Sequence, residues 1–456
     1  MAGTKRIGMD LTEGGVTKKL ILFSIPFMIS TVLQTVYSMV DMIVVGQYTG
    51  AGGLSAVSLA SQIAMLLTAI SMGFSQASQI LISQLVGAKA RDRINTVIGT
   101  TFTSTIALGV FMATMCLILY KQMLAAVNVP QEAIESGAYA YLMISGVGLI
   151  FAYGYNMVSA VLRGLGDSVR PLVFIAIASI LNIILDILFV GPLHMGAPGA
   201  ALATAVSQAV SFLTSIVYLY HKREAFGFDF KPASFRVDGK VLLMLIKLGA
   251  PLALQGAAIN ISMLFVSRFV NDFGVAASAT FGVGRKLEHL PNILTQGLGF
   301  AATAMIGQNI GANKYDRVNK TVHITLAFAL LANFVFGFVF LAWPREMFLM
   351  FTDDAAVIDY AWLFMWTTVL GFPGHAMLTA YRSLIQGVGN SLFAMIIGLF
   401  DGVILRIGLS LLFGYTFHMG LAGFFLGYSL AIYGTGIPAM VYFYGGFWKR
   451  RKRLVD

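Results

Sequence analysis

The sequence predicts an all-α polytopic membrane protein: twelve transmembrane helices in two six-helix lobes related as a parallel repeat. Three observations predict it. Of 456 residues, 58% are hydrophobic and 11% charged, with a mean hydropathy of +0.81, whereas a soluble domain carries about 25% charged residues. Apolar stretches of roughly 20 residues, enough to cross a ~30 Å hydrocarbon core, recur along the whole chain. Motifs of the first half return in the second at a shift of about 224 residues.

Within lipid each backbone N–H and C=O must be satisfied inside its own segment or a closed barrel. The ~10-residue alternating strands of a barrel do not occur here, so the apolar stretches read as helices. They fall at 20–46, 54–84, 94–119, 134–161, 170–190 and 197–220, then at 242–270, 276–308, 318–342, 356–385, 391–415 and 419–445. This divides the chain into a lobe over 1–220, a polar linker over 221–240 and a lobe over 241–456. The run from Leu20 to Val45 is too long for a signal-peptide core, and the 19 residues before it are polar.

An even number of spans puts both termini on one side. That side carries Lys5, Arg6, Lys18, Lys19, Lys89, Arg91, Arg93, Arg163, Arg170, the linker cations, Lys314, Arg317, Lys320 and the tail from Lys449 to Arg453. The opposite side has little beyond Lys121, Arg268 and Arg345. The positive-inside bias predicts cytoplasmic termini and linker in a cell membrane. The net charge of +10 is therefore a topology signal, and no nucleic-acid partner is expected. One cysteine, Cys116, leaves no disulfide framework and no cysteine metal site within the chain.

The repeat is specific. Gln84-Leu-Val-Gly87-Ala88 with Asp92-Arg93 answers Gln308-Asn-Ile-Gly311-Ala312 with Asp316-Arg317. Arg163-Gly164-Leu-Gly166-Asp167-Ser168 answers Gln386-Gly387-Val-Gly389-Asn390-Ser391, His194-Met195-Gly196 answers His418-Met419-Gly420, and Pro26 answers Pro251. Six spans per repeat relate the lobes by an axis normal to the membrane, an arrangement that serves alternating access.

An ionisable residue inside a span is costly and marks a functional candidate. Asp41 on helix one and Asp186 on helix five stand at matching depths. Gln34, Tyr37 and Asp41 share one helical face, and Asn182 and Asp186 share another. Thr204 enters from helix six at comparable depth. This set is rich in oxygen and has no basic residue beside it, so it suits a dehydrated Na⁺ held by Asp41, Asp186 and Asn182, or a shared proton. The repeat places Phe265 or Val266 opposite Asp41, and Leu409 or Ser410 opposite Asp186. The acid pair is thus confined to one lobe, as expected of a specialised coupling site.

These residues and the repeated loops together resemble the multidrug and toxic compound extrusion (MATE) family, in its prokaryotic DinF-like branch, over nearly the whole chain from about Leu11 to Tyr444. The resemblance implies a V-shaped pair of lobes that exports amphipathic, often cationic drugs in exchange for H⁺ or Na⁺. It implies a coupling network at Tyr37, Asp41, Asn182, Asp186 and Thr204, with looser matches at Tyr141 and Asn156. Another branch uses carboxylates on helices seven and ten. Here helix seven has none in its interior and helix ten only Asp359 near its start, which argues against that branch.

Helix eight carries Arg285, Lys286, Glu288 and His289. Arg285 and Glu288 are spaced i, i+3 and so are expected to pair locally in a self-neutralised cluster, with substrate or proton handling as the other role for Glu288 and Arg285. Asp401 and Arg406 on helix eleven are five apart, roughly 140° around an α-helix, and should need other partners. His323 and His375 read as lone structural residues. The 23 methionines and 35 phenylalanines suit a promiscuous cavity. No phosphate loop, metal pattern or nucleophile motif is found, so neither an enzyme nor a cofactor is expected beyond the coupling ion. The expected protein is a monomer in membrane lipid. The competing function is a flippase for lipid-linked precursors or polysaccharide, supported by Arg285, Lys286 and Arg406.

Overall fold

The structure, a computed structural model, describes residues 8–127 and 129–456, and of Ala51 and Arg91 the backbone. Lys5, Arg6 and the Arg91 side chain, counted above toward the cytoplasmic charge, lie outside the described residues.

Twelve long helices occur among the described residues. The first six are α1 (Val16–Gly50), α2 (Gly52–Gly87), α3 (Arg91–Ala126), α4 (Ala138–Gly164), α5 (Val169–Val190) and α6 (Gly196–His221). The second six are α7 (Gly239–Asn271), α8 (Val275–Gly311), α9 (Tyr315–Ala342), α10 (Ala361–Gly387), α11 (Ser391–Thr416) and α12 (Gly420–Tyr444). No strand occurs among the described residues. Ten of the twelve are long and apolar enough to cross a bilayer. The other two, α8 and α10, are long enough at 37 and 27 residues, but they carry Arg285, Lys286, Glu288 and His289, and His375 and Arg382 respectively.

The repeat extends to the backbone. Left-handed φ angles recur at Gly50 and Gly274, Lys89 and Asn313, Gly166 and Gly389, His194 and His418, and Gly196 and Gly420. Helix packing repeats as well: α4 lies against α3 and α6, and α10 against α9 and α12.

The chain forms two compact units. One is Ile29–Ala253 with the short stretch ending at Asp10; the other is Leu11–Met28 with Leu254–Asp456. The start of α1 therefore packs with the second six helices, and the start of α7 with the first. Each handover comes just after a proline inside the helix, Pro26 in α1 and Pro251 in α7, where the lost backbone hydrogen bond permits a bend. Glycine at the equivalent point of each second helix makes the seat. A Cβ on Gly73 of α2 would lie 2.6 Å from the Gly249 carbonyl oxygen of α7, and one on Gly297 of α8 would lie 2.8 Å from the Met28 amide nitrogen of α1. Small residues at such crossings let helix backbones approach closely.

The linker within the first unit is docked on α3. Thr103 donates to the Phe235 carbonyl at 2.8 Å, and the Asp238 amide donates to Thr100 at 3.0 Å. Phe228, Phe230 and Phe235 form an edge-on aromatic cluster over Phe102. Ser234 donates to Asp229 Oδ1 at 2.6 Å, and that bond holds the Asp229 carboxyl below its ordinary range.

Candidate functional site

The first unit gathers oxygen acceptors toward the C-terminal ends of α1 and α5 and the N-terminal end of α6. Asp186 is fully buried and Asn182 nearly so, while Asp41 is half-buried. The Asn182 amide donates to Thr204 Oγ1 at 3.3 Å, tying α5 to α6. Asp41 and Asp186 are close enough for their charges to act on one another, and Tyr37 and Tyr141 lie in the field of both. Four buried oxygens here, Asp41 Oδ1, Asn182 Oδ1 and both of Asp186, find no hydrogen-bond donor among the described residues. Buried acceptors are normally paired, so this cluster has the chemistry of a site completed by protons or by a hard cation with oxygen ligands.

Two expected members stand differently. Gln34 is exposed. Asn156 instead donates to Ser71 of α2 at 3.5 Å.

The second unit holds a cavity of about 130 Å³ among α7, α8, α10, α11 and α12. Its acid is Glu288, and here the expected local pairing is corrected. Glu288 takes the Tyr428 hydroxyl on Oε2 at 2.9 Å and lies 3.4 Å from His375 Nε2 through Oε1. Arg285 instead donates to Met263 Sδ at 3.0 Å and lies over the Phe281 ring. The reason is tertiary: Glu288 is buried toward α10 and α12, whose groups occupy both its oxygens, while Arg285 points toward α7. His375 is accordingly not lone.

The expectation for Asp401 and Arg406 is corrected too. Arg406 Nη2 reaches Asp401 Oδ1 at 3.4 Å, and Thr435 donates to Asp401 Oδ2 at 3.1 Å. Helix α11 widens to π geometry over Phe400–Leu405, and the Arg406 amide bonds the Asp401 carbonyl five residues back. That turn brings i and i+5 onto one face, where an α-helix would separate them by about 140°.

Thr368, Ser429, Tyr428 and His375 also line the cavity, and sequence reasoning singled out only the last, as structural. Thr368 and His375 share a face of α10 at i, i+7, the one sequence signal that could have joined them. Asp359 lies before α10, in the short helix Ala355–Asp359.

Comparison with known proteins agrees with this architecture. The MatE family profile matches residues 26–188 and 251–412. The probable multidrug resistance protein YpnP of Bacillus subtilis (strain 168) is 27% identical over 98% of this chain and 99% of its own. The probable multidrug resistance protein NorM of Thermotoga maritima is 24% identical over 96% of this chain and 94% of its own. Among solved structures, a crystal structure of MATE in the straight conformation superposes with a TM-score of 0.91 at 22% identity, covering 97% of this chain and 99% of that one.

Proposed function

This chain belongs to the MATE family of membrane transporters, and from that premise we propose that it is a multidrug exporter driven by inward movement of H⁺ or Na⁺. The substrates proposed are amphipathic, often cationic compounds, in keeping with the names of the relatives. The termini and linker lie in the cytoplasm under this reading, on the lysine and arginine distribution.

The observation that carries the coupling reading is the set of four unpaired buried acceptors at Asp41, Asn182 and Asp186. Two carboxylates with no cation in ion-pair contact among the described residues favour uptake of positive charge in a low-dielectric site. A proton supplies a donor between them; Na⁺ uses the same oxygens, with Asp41, Asp186 and Asn182 as its ligands. Neutralising the pair removes their repulsion and changes which arrangement of α1, α5 and α6 is most stable. A cation and a drug that favour different arrangements of the same lobe then exchange across the membrane. Thr204 holds the Asn182 amide, Tyr37 and Tyr141 stand beside the acids, and Gln34 stands at the exposed margin.

The test is efflux of a cationic dye from proteoliposomes under an imposed Na⁺ or pH gradient, comparing wild type with Asp41→Asn and Asp186→Asn. Efflux that needs the gradient and is lost in both variants supports the reading, and the effective gradient names the ion. Near-wild-type efflux in Asp41→Asn would remove that residue from the mechanism. No efflux of any cationic dye by folded wild type would overturn the exporter itself.

A further inference from the structure

The second unit's cavity differs from the acid site in the kind of group left unpaired. Four buried polar atoms on its lining residues find no hydrogen-bond partner among the described residues: Arg406 Nε and Nη1, Thr368 Oγ1 and Ser429 Oγ. All four can donate. Arg406 is 4% exposed, Thr368 3% and Ser429 6%, and they come from α11, α10 and α12. Buried donors without acceptors are costly and are normally satisfied. Hydroxyls inside helices commonly bond back to the carbonyl four residues earlier, as Thr367 does to Leu363; Thr368 and Ser429 do not.

Charge points the same way. Arg285 and Arg406 face the cavity against one acid, Glu288, whose two oxygens are engaged by Tyr428 and His375. Asp401 holds only the Nη2 nitrogen of Arg406. Arg285 has no carboxylate in ion-pair contact among the described residues, being set against a thioether and an aromatic ring. The cavity, about 130 Å³, is close to the roughly 150 Å³ that holds a benzene ring in an engineered core. It therefore admits a small headgroup or acid but not a whole drug.

We propose that this cavity binds a small oxyanion, a carboxylate or phosphate group, seated on the Arg406 guanidinium and the Thr368 and Ser429 hydroxyls, with Arg285 as the second cation. Charge-assisted bonds from arginine to an oxyanion are the strong ones, and two hydroxyls from other helices complete the donor set. The oxyanion belongs either to an anionic lipid headgroup or to a soluble acid that the protein handles. No residue is shared with the Asp41–Asp186 site, so this inference stands apart from the coupling reading.

The test measures thermal unfolding of the purified full chain in detergent. The probes are inorganic phosphate, benzoate and phosphatidylglycerol, compared with chloride at matched ionic strength and with phosphatidylcholine. Stabilisation by phosphatidylglycerol alone identifies the lipid source; stabilisation by phosphate or benzoate identifies a soluble one. In either case Ser429→Ala combined with Thr368→Val should weaken the apparent affinity about tenfold or more, as loss of hydrogen bonds to a charged group does. Arg285→Gln, which breaks no ion pair, should weaken it independently, and Asp41→Asn should leave it unchanged. The proposal is overturned if no oxyanion stabilises folded wild type, which would mean a cavity filled by water alone. It is equally overturned if the responses of the Ser429/Thr368 and Arg285 variants match the wild-type response.

Discussion

Arg406 turns back along its own helix to Asp401, Nη2 to Oδ1 at 3.4 Å, across a single π turn. Both residues are almost fully buried, at 4% and 2% exposure, and Thr435 supplies the second bond to the carboxylate. A buried pair is rarely a net source of stability, but removing one partner strands the other. Asp401→Leu should therefore lower stability by about 3–5 kcal/mol. The joint change Asp401→Leu with Arg406→Met should recover much of that loss. A double-mutant cycle of thermal unfolding in detergent measures both, and additive losses would show that the two side chains act separately.

How much of this was legible in the sequence differs by feature. The helices and the repeat were, because apolar length and paired Gly-x-Gly and Gln-x-x-Gly-Ala loops are local signals; the loops recur as left-handed backbone at Lys89 and Asn313 and at Gly166 and Gly389. Asp41 and Asp186 stood out because an acid in an apolar span needs a reason. The Asp401–Arg406 pair was hidden by assuming 100° per residue through a segment that is not α-helical. Thr368, Ser429 and Tyr428 were hidden because they are ordinary helix residues that only tertiary packing brings together. Pro26 and Pro251 stood out as a repeated pair, but nothing local told which helices the two halves of α1 and α7 join.

Those helix starts depend on glycine seats. A methyl group at Gly73 or Gly297 would meet backbone atoms at 2.6–2.8 Å, and backbone yields less readily than a side-chain tip. Overpacking of this kind costs about 1–3 kcal/mol. Gly73→Ala and Gly297→Ala should each lower the unfolding temperature, while Gly256→Ala, where nothing lies within 4 Å, should not. Equal behaviour of all three would remove the close approach as an explanation.

Arg317 explains what the repeated Asp-Arg does in the second unit. Its guanidinium donates to the carbonyls of Leu11 and Glu13 at 3.1 Å each and of Gly14 at 2.7 Å, and to Asn309 Oδ1 at 3.0 Å. Lys314 adds a bond to the Thr12 carbonyl at 2.9 Å. This fork fixes the turn from which α1 starts. Lysine has no such fork, so Arg317→Lys should restore little of what Arg317→Ala loses, about 1–3 kcal/mol. Hydrogen exchange of amides at the start of α1 should quicken in both variants. Unchanged exchange would show that the segment is held by other means.

The bond between Asn182 and Thr204 gives the acid site a graded test. Thr204 accepts the Asn182 amide at 3.3 Å, and it carries no charge. Thr204→Val keeps the shape and removes this one neutral hydrogen bond, worth about 0.5–1.5 kcal/mol. If the amide is thereby held for the cation, the half-activating Na⁺ or H⁺ concentration for dye efflux should rise about two- to tenfold, with the maximal rate retained. Asp41→Asn removes a charge from the pair and should abolish coupling at every cation concentration. The order of the two effects is the discriminating result. A complete loss in Thr204→Val would make the hydroxyl a direct part of the transport step. An unchanged activation curve would place Thr204 and its amide partner outside the cation's coordination, leaving the two carboxylates to act alone.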